Sequence, residues 1–256
     1  MSDSIQKTLL VALLLCIVCS VIVSTAAVKL KPIQQSNALI DKRKNIIIAA
    51  GLAEAGGISD KDVKRLFNSI EMKGIDLSTG EYVDIDKDYS IEKAAKDPKR
   101  SRRLKPKEDL ADIRWLPNVM PVYLAKDKQN KISKIVLPVH GYGLWSTLYG
   151  FLALEPDANT VAGLGFYQHA ETPGLGGEVD NPKWKALWPG KKIYEDGIPV
   201  IKLVKGGVDA NTPNAEHKVD ALSGATLTSR GVTNLLQFWM GDKGYGKYIT
   251  RLKSQS

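Results

Sequence analysis

From Leu9 to Val28 the chain runs for twenty residues without a charged side chain, and this stretch constrains the fold more than any other. At about 1.5 Å of rise per helical residue it matches the roughly 30 Å hydrocarbon core of a bilayer. Only Ser20, Ser24 and Thr25 interrupt it, and no other stretch of the 256 residues is comparable. Ser24-Thr25-Ala26 has the small residues of a signal-peptidase site, but the apolar run exceeds the roughly 7–15 residues of a signal core. The expected reading is an uncleaved single-span anchor, with a cleaved export signal as the alternative. Lys7 alone precedes the span, whereas Lys29, Lys31, Lys42, Arg43 and Lys44 follow it. By charge alone, the body faces the cytoplasm.

Both cysteines, Cys16 and Cys19, lie inside this run, so the rest of the chain has no disulfide and no thiol chemistry. Their Cys-x-x-Cys spacing lacks the strand–helix context of a redox motif and reads as apolar filler. The 36 basic residues exceed the 28 acidic ones, giving a net charge of +8. Seven of the basic residues fall between Lys96 and Lys107: Lys96, Lys99, Arg100, Arg102, Arg103, Lys105 and Lys107. No aromatic residue is interleaved there to stack on bases, so nucleic acid is not an expected partner. The cluster reads as a solvated loop, with anionic lipid headgroups or a partner subunit as the next reading. His140 and His169 have no second ligand at metal spacing and read as hydrogen-bonding loop residues. His217 falls in a polar loop and reads as solvated, and no metal site is expected.

Four parts follow: a tail over 1–8, a transmembrane helix over 9–28, a helical, insert-bearing part over 29–118, and a ligand-binding domain over 119–256. Pro32–Asn37 reads as a linker, and Arg43–Leu52 as a short helix. Ser59 caps a second helix with Val63, Leu66, Phe67 and Ile70 on one face. Thr79–Asp86 reads as a strand. β-rich runs follow at Met120–Ala125, Ile132–Val139, Thr147–Glu155, Thr160–Gln168 and Val200–Val204. Lys183–Trp188 and Tyr245–Leu252 read as short helices. Val232, Leu235, Leu236 and Trp239 mark an amphipathic helix that Gly241 ends. The fold class is α+β: an anchor, then a mixed, mostly antiparallel sheet with helices packed on it.

Three segments carry candidate chemistry. In Asp220-Ala221-Leu222-Ser223-Gly224-Ala225-Thr226-Leu227-Thr228-Ser229, small residues leave the Thr226 hydroxyl open, and Thr228 or Ser229 can cap the following helix. The helix N-terminus suits an anionic phosphate; a well-capped polar turn is the alternative. Pro138-Val139-His140-Gly141-Tyr142-Gly143-Leu144-Trp145 pairs backbone freedom at its glycines with π and apolar surface, or is a Gly-rich hairpin with core aromatics. His169-Ala170-Glu171-Thr172-Pro173-Gly174-Leu175-Gly176-Gly177 is a turn. Glu171 lacks the second carboxylate of an acid–base pair and reads as a cap or backbone hydrogen-bond partner. No residue is expected to be catalytic.

Asp220-x-x-Ser223-Gly224-Ala225-Thr226 resembles the flavinylation motif of the FMN-binding domain family. The resemblance implies covalent FMN, joined to Thr226 by a phosphoester bond that a separate Mg-dependent, FAD-using flavin transferase makes. Asp220, Ser223, Gly224 and Ala225 would be the transferase's recognition sequence, with Leu227 and Thr228 also at the cofactor. It further implies that Gly141, Tyr142, Leu144, Trp145, Glu171, Thr172, Gly174 and Leu175 line the flavin. No His or Cys lies in the motif to activate Thr226, which fits an acceptor and not a nucleophile. The layout resembles the C subunits of Na⁺-translocating NADH:quinone oxidoreductases, with the shorter G subunits of Rnf electron-transport complexes as the alternative. A non-redox extracytoplasmic docking module is a further one.

The resemblance implies an electron relay between an iron–sulfur centre in neighbouring membrane subunits and a second covalent FMN in the B subunit, coupled to quinone reduction and Na⁺ export. It places the body on the periplasmic side of a bacterial inner membrane, against the charge count. The chain lacks a strand–Gly-x-Gly-x-x-Gly–helix unit for a dinucleotide, and one span offers no ion pathway. It is expected to bind neither NADH nor quinone.

Overall fold

The apolar run is helical throughout and is part of something longer. In the computed structural model, which describes residues 4–53 and 58–255, helix α1 covers Ile5–Ala49 without a break. The linker expected at Pro32–Asn37 is therefore absent. Pro32 lies inside the helix, where its missing N–H and ring cost about 3 kcal/mol. The good helix formers around it, Gln34, Gln35, Ala38 and Leu39, carry the helix onward. The expected Arg43–Leu52 helix is the last part of α1.

The chain divides into two compact units, Met1–Lys42 and Arg43–Ser256. The first contains the only candidate membrane span among the described residues, and its large apolar side chains from Ile5 to Leu39 are exposed.

In the second unit, Ser59 caps α2 (Asp60–Phe67) as expected, its hydroxyl accepting the Asp62 N–H at 3.3 Å. Ile70 opens strand β1 (Ile70–Asp76) and so does not continue that helix. β2 (Glu81–Val83) and α3 (Ile91–Lys96) follow. Within the basic cluster, β3 (Ser101–Arg103) pairs with β4 (Trp115–Pro117), so this stretch is not a plain loop. Its Arg102 and Arg103 are exposed, whereas Ser101 is buried and donates its hydroxyl to Ala95 O and Asp97 O.

Four of the five expected β-rich runs appear as β5 (Val119–Lys126), β6 (Ile132–Tyr142), β7 (Thr147–Leu154) and β8 (Val161–Gln168), and the fifth, Val200–Val204, shortens to the later strand Lys202–Val204. The short helix α4 (Pro182–Lys185) precedes the hairpin of β9 (Tyr194–Glu195) and β10 (Ile198–Pro199). β11 (Lys202–Val204) pairs in parallel with β12 (Lys218–Asp220), apart from the main sheet. α5 (Thr226–Met240) and α6 (Gly246–Gln255) end the chain.

The main sheet has six strands in the order β2-β1-β5-β6-β7-β8, each pair antiparallel. α5 packs along β6 and buries Val232, Leu235, Leu236 and Trp239 completely. Buried polar atoms around this helix are paired: Trp239 Nε1 donates to His140 O at 2.6 Å and Tyr245 Oη to Pro138 O at 2.8 Å. The architecture is an apolar N-terminal helix followed by a mostly antiparallel sheet with packed helices.

Candidate functional site

Helix α5 begins at Thr226, ahead of both Thr228 and Ser229, the residues expected to cap it. The reason is local. Gly224 adopts φ +69°, a left-handed turn that glycine takes without cost, and Ala225 sits at the N-cap with no side-chain hydrogen bond. Neither expected cap forms. The Ser229 hydroxyl accepts the Leu222 N–H at 3.0 Å, and the buried Thr228 hydroxyl donates to Glu171 Oε2 at 2.7 Å. A 15-residue helix thus presents an uncapped N-terminus, with the Thr226 and Leu227 side chains exposed on its first turn. The positive end of its dipole is there too.

Glu171 ties the three candidate segments together. Its carboxylate accepts N–H groups from Leu144 (3.1 Å), Trp145 (3.0 Å) and Ser146 (3.2 Å), as well as the Thr228 hydroxyl. Burial pushes its pKa up, but the Thr228 hydroxyl and these three N–H groups outweigh that, and the net shift is downward. Glu171 is thus a fixed anion that shapes the 143–146 turn, as its backbone-partner reading expected. Gly143 and Gly176 leave room for it: a Cβ on either would lie 2.6–2.7 Å from a Glu171 oxygen.

Around this hub, Tyr142, Leu144, Trp145, Leu175 and Leu227 are large apolar side chains left exposed, Trp145 at 63%. Five such residues from three adjoining segments around one exposed threonine hydroxyl form a site that solvent alone does not explain. Leu175 packs close over the turn, where a Cβ on Gly224 would lie 2.9 Å from its Cδ2. Thr172 and Gly174 are exposed on the same turn. The planar apolar surface and the helix N-terminus beside Thr226 fit an aromatic ring system carrying a phosphate.

Other expected residues are placed differently. Gly141 is buried against α5, where a Cβ would lie 2.6 Å from Leu235 Cβ. Asp220 supports the turn from behind: its Oδ1 accepts Val208 N–H at 2.6 Å, and its carbonyl accepts Trp184 Nε1 at 2.9 Å. Ser223 is exposed.

The histidines split. His169 bridges Glu171 N and Asp180 Oδ2 in a loop, as expected. His140 lies buried on β6, and burial lowers its pKa to about 4. His217 is buried with Nδ1 against Lys192 O at 2.9 Å, so it is not solvated. Ser146 and Gly231 escaped the sequence reading. Ser146 accepts Ala170 N–H at 2.7 Å, and Gly231 lets α5 touch the backbone of Tyr142 and Gly143. Gly231, the one glycine within α5, was the available signal for the close approach.

Comparison with known proteins agrees with this geometry. The FMN-binding domain family model matches residues 143–241, which span all but the first strand residues of the site. The fold and site thus define an FMN-binding domain behind an apolar N-terminal helix. Over 98% of its length the chain is 52% identical to the C subunit of the Na⁺-translocating NADH-quinone reductase of Pseudomonas aeruginosa, covering 97% of that protein. It is 49% identical to the corresponding protein of Vibrio alginolyticus, covering 98% of this chain and 96% of that one. The crystal structure of Shewanella oneidensis NqrC superposes with a TM-score of 0.76 at 37% identity, covering 84% of this chain and 97% of that one. The chain belongs to the family of C subunits of the Na⁺-translocating NADH-quinone reductase. It is an FMN-binding, membrane-anchored member of an oxidoreductase complex, and the G-subunit and docking-module alternatives give way.

Proposed function

We propose that Thr226 carries FMN covalently through a phosphoester bond and that the chain serves its complex as a one-cofactor electron relay between an iron–sulfur centre and a second FMN-bearing protein, coupled to Na⁺ export. The observation that carries this reading is the exposed Thr226 hydroxyl at the first position of an uncapped α5, ringed by exposed apolar side chains. When bound, FMN supplies one- and two-electron redox chemistry. The chain's residues do the rest. The N–H groups of the first turn of α5 would hold the phosphate. Tyr142, Leu144, Trp145, Leu175 and Leu227 would give the ring an apolar bed, with Thr172 and Gly174 contributing from the same turn as Leu175. Glu171 and Thr228 hold that bed in shape from beneath.

Asp220, Ser223, Gly224 and Ala225 form the turn that a flavin transferase would recognise, with Ser223 and Gly224 exposed on it and Asp220 and the buried Ala225 supporting it. In this reading residues 9–28 anchor the chain, 29–118 carry the insert, and 119–256 carry the flavin. Attachment outside the cytoplasm puts the body on the periplasmic side of the inner membrane. The charge bias of a lone span is only a tendency and weighs less.

The test is the denatured intact mass of wild type and Thr226→Ala, each exported together with a flavin transferase. An FMN-sized increment in the wild type that vanishes in the variant is the expected result. A wild type without the increment, beside a control substrate flavinylated in the same cells, would sink the covalent reading.

A further inference from the structure

A second cleft lies at the Tyr142 end of β6 and does not include Glu171. It has a volume of about 570 Å³, within the range of small-molecule sites. α3 forms one wall, the segment before and into β4 another, and the ends of β6 and β7 the floor. The floor is aromatic: His140 stacks on Tyr149 with ring centroids 5.5 Å apart and planes at 19°, and Tyr142 and the exposed edge of Trp115 complete it.

Three observations show what this cleft suits. His140 is more than nine-tenths buried and lines the cleft. Its ring packs against Tyr149 and Trp239, and the Glu92 carboxylate on the same cleft acts on it electrostatically. Burial keeps it neutral, so it offers one N–H and one lone pair. The wall opposite is held in a demanding conformation. Asp112 and Arg114 both adopt left-handed backbone angles, φ +49° and +64°, and the Asp109 carboxylate fixes them by accepting the N–H groups of Ile113 and Arg114. Non-glycine residues in this region carry strain that collects at functional sites. Finally, the charges at the rim balance, Lys96 and Arg114 against Glu92 and Asp112. A phosphate or carboxylate gains nothing from such a rim, whereas a flat uncharged ring does.

We infer that this cleft is a second binding site, for a planar, uncharged, conjugated ring bearing a carbonyl oxygen, which lies against Tyr149 and Trp115 and takes a hydrogen bond from the His140 imidazole. Quinone-type and flavin-type rings share that chemistry. The cleft does not include Thr226, and Tyr142 borders both it and the first site. It runs against the expectation from sequence that the chain binds no quinone.

The experiment uses the full chain in nanodiscs, carrying Thr226→Ala so that the first site holds no covalent flavin. Tryptophan emission is followed during titration with duroquinone, whose fully substituted ring resists thiol addition, and with lumiflavin in a parallel arm. Saturable quenching is expected with at least one probe, and the arm that responds identifies the ring type. Trp115→Phe should remove most of the quenching amplitude. His140→Leu should weaken binding tenfold or more, and His140→Gln, which keeps a donor, should restore most of it. Ala95→Trp fills the cleft from α3 without touching the floor and should abolish binding at unchanged Tm. Trp145→Ala, at the first site, should leave it intact. Non-saturable quenching with both probes, or binding that survives Ala95→Trp or depends on Trp145, would overturn the inference without bearing on Thr226.

Discussion

A carboxylate removed from water keeps its charge only if the groups around it replace the water. At Glu171 they do, with three backbone N–H groups and the Thr228 hydroxyl. Glu171→Gln swaps one acceptor oxygen for an NH₂ that points at donors. The expected cost is about 2–3 kcal/mol in urea unfolding, with lower FMN loading because the 143–146 turn loses its template. A variant as stable and as well loaded as wild type would contradict that role. Its pKa is lowered on folding, so the unfolded chain binds the proton more tightly. Glu171's stabilisation is therefore present above the ordinary carboxylate value of 4.5 and is lost as pH falls through the lower native value.

His140 acts in the same direction over a higher window. It titrates near 6.5 when unfolded and about 4 when buried. Protonation thus opposes folding, and the protein should lose about 3 kcal/mol as pH drops from 6.5 to 4. Unfolding free energies measured across that range should slope in the wild type and flatten in His140→Leu.

Among the elements, α5 joins the core to the site, and Gly231 shows how. Glycine inside a helix normally costs about 1 kcal/mol against alanine, so Gly231→Ala would ordinarily stabilise α5. Here the added Cβ would lie 3.0 Å from Gly143 Cα and closer still to the Tyr142 carbonyl, both backbone atoms that cannot rotate aside. A net loss of about 1–3 kcal/mol is expected from this overpacking, with reduced flavin absorbance in the denatured protein. A higher Tm with full loading would show that the contact does not matter.

The same helix shows what was legible from sequence. Val232, Leu235, Leu236 and Trp239 repeat on one face, and all are buried where that pattern puts them. The runs of β5 to β8 were readable from their β-rich, apolar content, and most of β5 to β7 is buried without a break. The first turns of α5 were hidden because Ser223 to Thr228 look like loop residues, and only the fold shows that the hydroxyls of Thr228 and Ser229 are used elsewhere. β1 was hidden as well. Its Ile70 fits the apolar face of α2 equally well, and pairing with β5, some fifty residues away, decides the matter. The Asp220–Thr226 stretch was identifiable as a motif, but the Glu171 hub was not, since long-range hydrogen bonds leave no local pattern.

For the whole molecule, the question is where the anchor ends and the folded body begins. Composition would cut after Val28, where the apolar run stops. Packing cuts later, because Ile46, Ile47 and Ala50 at the end of α1 are buried to 3% exposure or less. Arg43 also sits over the Phe67 ring, 4.9 Å from its centroid. Full burial of an isoleucine contributes about 1.5–3 kcal/mol, so the two isoleucines supply about 3–6 kcal/mol, a large share of the 5–15 kcal/mol that holds a typical domain together. A chain starting at Arg43 should therefore be soluble without detergent and unfold cooperatively. A chain starting at Ser59 keeps the whole sheet and the Thr226 site but loses those side chains. It should unfold at markedly lower urea or expose enough of the sheet face to aggregate. Equal midpoints for the two fragments would show that the end of α1 belongs with the anchor and that the body closes its core without it.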